Sequence, residues 1–458
     1  MKRWFLLSCV VFTACANHAQ HAVALYEAGD YAGAARAADQ GIAAHPGDEG
    51  LRQMRVRAAL AQGDGPGVAR AYAAYRDQLA GEDDKGLLRE LAIATLRQAL
   101  ASPSVKLKIA AIDAVAAAEL LPLAEQVAER MSDDDDRVVA AAAVAVLHGF
   151  PQAPQAAGDM LHSEDAEARR IAVDGIGQKV GKLAIADLEA AGGDPDPRVR
   201  RTAIRWLGQL KDDGAVELLT RRLRDPDDAV RAAAATALAR IGIGNLAELG
   251  KLALQDRALA VRLAGIELIV AARAPGELAG LDDDPDPIVA AEAAIARGPS
   301  AAAAAARAID RAASSEEWTI RAGAANLAQR ALGKPAALAL ARKLAADREP
   351  PVRLAAARVL AHAGDPAAAA QVFAAALHDP DHALAAAIDL AQQDDPRGVQ
   401  ALDAAVGDRE HGPAARAAAA TAHHSAHRIT PGLVAALADD SGVVRVAAAA
   451  ALAMLTRR

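Results

Sequence analysis

From about residue 101 the chain repeats itself, and this period constrains its fold more than any other feature. An acidic turn, a β-branched or small residue, then an alanine-rich helical stretch recur at Val105, Val138, Ala168, Val199, Val230, Val261, Val289, Ile320, Val352, Ala383, Ala415 and Val444. Successive gaps average about 31 residues, a length that accommodates two helices and their turns but no independent core. Each unit must therefore bury its apolar face against the next. The copy DPDPRVRRTAIRWLGQL, followed by AVELLTRRLRDPDDAVR, shows both helices. Val199, Ala203, Trp206 and Leu207 recur at helical spacing in the first, and Val216, Leu218, Leu219 and Leu223 in the second. Asp-Pro before the first helix supplies a cap and a proline whose missing N–H costs nothing there.

Composition fits this arrangement. Of 458 residues, 128 are alanine and only 2% are aromatic. The apolar surface therefore comes from many small contacts between closely approaching helices. With 24% charged residues spread along the chain and no long apolar run, a membrane-spanning protein is excluded. The net charge of −8, with no basic stripe against it, excludes nucleic acid as a partner.

These units resemble HEAT repeats, specifically the short bacterial type also found in phycobilisome-lyase-like proteins. The resemblance covers residues 101–458 and implies an all-α fold, an α-solenoid of about twelve stacked helical hairpins. It also implies an inter-repeat ladder of charge-assisted hydrogen bonds. Its members are an acid and an arginine six residues apart: Asp194 and Arg200, Asp225 and Arg231, Asp256 and Arg262, Asp347 and Arg353, Asp439 and Arg445. Ala290 replaces the arginine in one copy, and the copies at Val138 and Ala383 lack it, so the ladder is expected to break there.

Residues 19–80 read as tetratricopeptide-like helical hairpins, followed by a connecting helix over 81–100. Gly29-Asp30-Tyr31, Ala34 and Pro46 resemble the turn and closing proline of that repeat, and Gly63-Asp64 restates the turn 34 residues later. All four tyrosines (Tyr26, Tyr31, Tyr72 and Tyr75) fall here, as inter-helix core or as the wall of a peptide groove.

The first residues carry a different signal. Lys2 and Arg3 precede an apolar stretch, Trp4 to Phe12, too short to span a bilayer, and small residues follow. Phe12-Thr13-Ala14-Cys15 resembles a bacterial lipobox, although Phe12 departs from the usual leucine. The resemblance implies a signal peptide over 1–14, lipidation of Cys15, and, with Ala16 in place of aspartate, an outer-membrane lipoprotein facing the periplasm. Cleavage after Ala16, at the A-x-A pattern, gives a soluble periplasmic protein instead. Both cysteines, Cys9 and Cys15, lie in this segment, so the body has no thiol for a disulfide, nucleophile or metal.

No catalytic constellation, metal centre or cofactor is expected. The His-Glu dipeptides of di-iron hydroxylases built on this scaffold are missing, and Glu410-His411 stands in reverse order. His423 and His427, four apart, could share a helix face and ligate a metal with His411, or lie on a solvated face. The runs Asp133 to Asp136 and Asp282 to Asp286 read as helix caps, lacking calcium-loop spacing. Trp206 is a bulky filler or part of a contact surface with Arg201 and Arg205, on the helix that lines the inner face in arrays of this kind. The sequence therefore predicts a lipid-anchored envelope scaffold for an unknown protein partner, with an enzyme or accessory factor of the phycobilisome-lyase-like type, or a structural spacer, as alternatives.

Overall fold

A computed structural model describes residues 18–457. Among these residues every regular element is an α- or 3-10 helix, and helical hairpins stack on one another. The leader, including Cys15, lies outside the described residues. No helix among those described is long and apolar enough to cross a membrane.

The described residues divide into two compact units, residues 128–389 and a unit built from residues 18–127 with 390–457. In the first, Ala166–Lys179, Pro197–Leu210, Asp228–Ile241 and Leu259–Ala271 lie side by side, each packed on its neighbour. Shorter helices, Ile185–Ala191, Val216–Arg222 and Leu246–Leu254, back them. The acidic turns set where the long helices begin: the Asp165, Asp196, Asp227 and Asp286 carboxylates each accept the N–H of the residue two or three positions on. Asp135 does the same for Asp136–Ala145, so both acidic runs supply helix caps.

Small residues let these helices approach closely. Ala203, Ala234 and Ala264 are buried along the contact lines. A side chain added at Gly208 would meet the backbone of Ala237 at 2.7 Å, so in an interior packed this densely the contact requires glycine.

In the second unit helices from residues 65–117 associate with helices from residues 431–455. Gly442–Leu455 packs against Lys85–Leu100 and Val105–Ala117, and Pro431–Ala435 packs against Gly65–Gln78. Arg89 donates to the Ala453 carbonyl and Arg457 to that of Ala117, both at 3.3 Å. The apolar face of Gly442–Leu455 is thus covered by Lys85–Leu100 and Val105–Ala117.

The N-terminal hairpins turn at Gly29 (φ +81°) and Gly63 (φ +69°). This conformation is costly for residues with a Cβ. Asp30 and Asp64 cap the helices that follow. The tyrosines divide between two environments. Tyr72 and Tyr75 are buried, their hydroxyls donating to Asp83 at 2.7 Å and Asp84 at 2.9 Å. Tyr26 and Tyr31 form a tilted ring pair, 5.2 Å between centroids, on a more open surface.

Candidate protein-docking face

The ladder positions fix the stacking that builds the face. Arg200 donates through Nε and Nη2 to both oxygens of Asp225, at 2.9 and 2.6 Å, one repeat further along. Arg231 does the same to Asp256, at 2.7 and 2.9 Å. Arg262 reaches Asp286 at 3.1 Å. The six-residue spacing within a repeat is a main-chain contact: Arg200 Nη1 donates to the carbonyls of Asp194 and Pro195, both at 2.9 Å. Each guanidinium thus holds its own acidic turn and grips the carboxylate of the next repeat. The Arg231 guanidinium holds the Asp256 carboxyl below the usual carboxylate range against the opposing effect of burial.

Two rungs of the same geometry involve arginines outside the six-residue pattern, and a third, Arg416, follows Glu410 by six but reaches its acid through Nη2 alone while Nε donates to the Val406 carbonyl at 3.0 Å. Arg169 pairs with Asp194 at 2.8 and 2.9 Å, Arg321 with Asp347 at 2.7 and 2.8 Å, and Arg416 with Asp439. A serine stands at the six-residue position before Arg169 and Arg321 (Ser163 and Ser315), and the acids gripped by the three arginines lie 23 to 26 residues ahead. Arg353 and Arg445 end on carbonyls of their own turns. The acid facing Arg353 from the next repeat, Asp379, is engaged by His382 at 3.1 Å instead. In the copy at Val138, where Val139 stands at the arginine position, Ser163 donates to Asp136 at 2.5 Å. Near Ala290, Arg297 pairs with Asp282, and Arg311 donates to the carbonyls of Asp282 and Asp284, both at 3.2 Å.

With the helices locked in register, equivalent residues form rows across four repeats. They line a groove of about 850 Å³ between Glu167 and Glu267. Its lining includes the small apolar residues Ala232, Ala233, Ala237, Ala260 and Ala264, beside Thr202, Thr236 and Leu263. Its walls carry five arginines, Arg170, Arg198, Arg201, Arg205 and Arg240, against three carboxylates, Glu167, Asp174 and Glu267. Three of the arginines are paired: Arg170 with Glu167 at 2.7 Å, Arg198 with Asp196 at 3.1 Å, and Arg205 with Asp174 at 2.5 Å. Thr236 donates to Glu267 at 2.9 Å. Arg201 and Arg240 have no hydrogen-bond or ion-pair partner among the described residues. A second groove of about 780 Å³ shares Arg240 and Glu267 and continues to Glu292 and Arg330.

Trp206 stands beside this groove rather than in its lining. Its indole N–H donates to Asp174 at 2.6 Å. The Arg205 guanidinium sits 5.4 Å from the ring centroid, within the reach of a cation–π contact. The ring lies over Gly177, where an added Cβ would clash with it. Of the three contact candidates, Arg201 and Arg205 face the groove, and Trp206 fills the space above a glycine and orients Asp174.

The histidines do not converge. His423 is fully buried with neither ring nitrogen hydrogen-bonded, whereas His427 is exposed at φ +50°. Burial lowers the His423 pKa, with Asp403 acting weakly against it. His411 bonds to Asp408 at 2.9 Å. No group of three potential ligands suited to a metal ion occurs among the described residues.

HEAT repeats match residues 154–239 and 185–270. No curated protein sequence matches the chain. Among solved structures it is similar to the CpcE–CpcF complex of phycocyanin lyase from Nostoc, with 22% identity over 56% of this chain and 96% of that one, TM-score 0.30. Human deoxyhypusine hydroxylase is similar at 25% identity over 66% of this chain and 96% of that one, TM-score 0.27. The UNC-45 chaperone is similar at 14% identity over 90% of this chain and 60% of that one, TM-score 0.35. Every residue lining the first groove falls within residues 154–270, the stretch that matches HEAT repeats.

Proposed function

We propose that this chain is an exported, lipid-anchored scaffold that docks another protein of a bacterial cell envelope on its HEAT-repeat groove, and that its role is binding rather than catalysis. The observation that carries the reading is the groove: its lining holds five alanines and five guanidinium groups, of which two are unpaired. Guanidinium groups are among the side chains that dominate the energetics of protein interfaces. The anchored location rests on the leader, Lys2 and Arg3 before an apolar stretch and Cys15, with Ala16 favouring the outer membrane. The N-terminal hairpins, in this reading, are tetratricopeptide-like units that cap the array.

Two experiments test the proposal. Crosslinking in intact cells, followed by purification from membranes, is expected to retrieve one defined protein at stoichiometric yield; recovery of no enriched partner contradicts docking and favours a spacer. Cys15→Ser is expected to move the protein from the membrane to the soluble fraction. Retention of that variant on membranes contradicts the lipid anchor and leaves the docking face untouched.

A further inference from the structure

We infer that the partner's docking element is an acidic segment, with two carboxylates spaced to meet Arg201 and Arg240 and small or apolar residues between them. This inference rests on the docking reading above. The groove walls hold an excess of arginine over carboxylate although the whole chain carries a net charge of −8, so the positive charge is local. Arg198, Arg170 and Arg205 are already held by carboxylates of this chain. Arg201 and Arg240 are exposed, line the same groove and lack such a partner. A guanidinium pairs best with a planar carboxylate through two parallel hydrogen bonds, as the ladder of this protein shows repeatedly.

The spacing of the two arginines sets the partner's pattern. Gln209, one repeat before Arg240, is eight residues beyond Arg201 on the same helix. That is about 12 Å along its axis at the helical rise. The neighbouring helix is about 8–10 Å away, which places the two positions about 15 Å apart. An extended segment covers that distance in about four or five residues. Ala232, Ala233 and Ala237 line the same groove beside Thr202, Thr236 and Leu263. A nucleic-acid backbone fits poorly, because two unpaired arginines do not make the extended basic track that it requires.

The test uses the full chain and a labelled peptide with two glutamates four residues apart in an alanine–leucine background, beside the same peptide with glutamines. The glutamate peptide is expected to bind, its affinity falling as salt is raised. Arg201→Glu and Arg240→Glu are each expected to weaken it at least about tenfold, as loss and reversal of one charge-assisted contact at about 1.4 kcal/mol per decade imply. Arg221→Glu, on the exposed helix Val216–Arg222 outside the groove, is expected to leave binding unchanged. Circular dichroism verifies that each variant is folded. Equal binding of the glutamine peptide, indifference to both groove variants, absence of binding, or displacement by an oligonucleotide each overturns the inference. A partner crosslinked in cells through a segment lacking carboxylates also overturns it while leaving the docking reading intact, so the two fail separately.

Discussion

Arg200 and Asp225, twenty-five residues apart, meet through two parallel hydrogen bonds in a site from which water is almost excluded. The aspartate carboxylate is fully covered and also receives the N–H of Asp227. Removing one partner of such a pair leaves a buried, uncompensated charge, which typically costs about 3–5 kcal/mol. The exposed pair of Glu217 with Arg221 is worth less than about 1 kcal/mol. Asp225→Ala is therefore expected to lower the urea midpoint of unfolding by several times more than Glu217→Ala. Equal shifts for the two variants contradict a structural role for the ladder.

Trp206 and Gly177 form a second test of packing. Gly177→Ala is expected to expel the indole, red-shift its fluorescence and destabilise the array by about 1–3 kcal/mol, the usual cost of overpacking. Trp206→Ala removes the clash together with the ring. The double variant is therefore expected to cost less than the sum of the single ones, since residues in contact are not additive. Strict additivity in a double-mutant cycle contradicts the contact.

His423 makes the C-terminal repeats sensitive to mild acid. Its pKa is lowered by burial from an ordinary value of 6.5, so the unfolded chain binds a proton that the folded chain refuses. The associated stability is complete above about pH 6.5 and is lost as the pH falls towards the lowered folded value. Thermal scans are expected to show a midpoint falling below neutrality, and His423→Leu is expected to flatten that slope. Asp256 and Asp347, lowered by Arg231 and Arg321, act in a separate window: their contribution holds above the ordinary carboxylate value of 3.8 and is lost below it. A slope between neutrality and about pH 5 that persists in the His423→Leu variant contradicts this assignment.

Much of the architecture is legible in the sequence because its signals are local. The period, the aspartate caps and the alanine contact lines all lie within one or two turns of the helices they shape. The ladder is only half legible. The acid–arginine spacing of six is visible, but it marks a main-chain contact, while the carboxylate that completes each rung stands a repeat further on. Searching for an acid about 25 residues after each arginine would have found Arg169, Arg321 and Arg416. The association of helices from residues 65–117 with those from residues 431–455 has no such signal, because a period describes each repeat's neighbour in sequence and not what covers Gly442–Leu455. Nor does Trp206 reveal Asp174, whose carboxylate is set beside it by stacking alone.

The central claim, that the groove is where a partner docks, is tested most directly by site-specific photocrosslinking in living cells. A photoreactive amino acid at Gln209, in the groove lining, is expected to capture one protein, and the same group at Arg221, outside it, to capture none. Capture of the same proteins from both positions, or of nothing from Gln209, contradicts the claim.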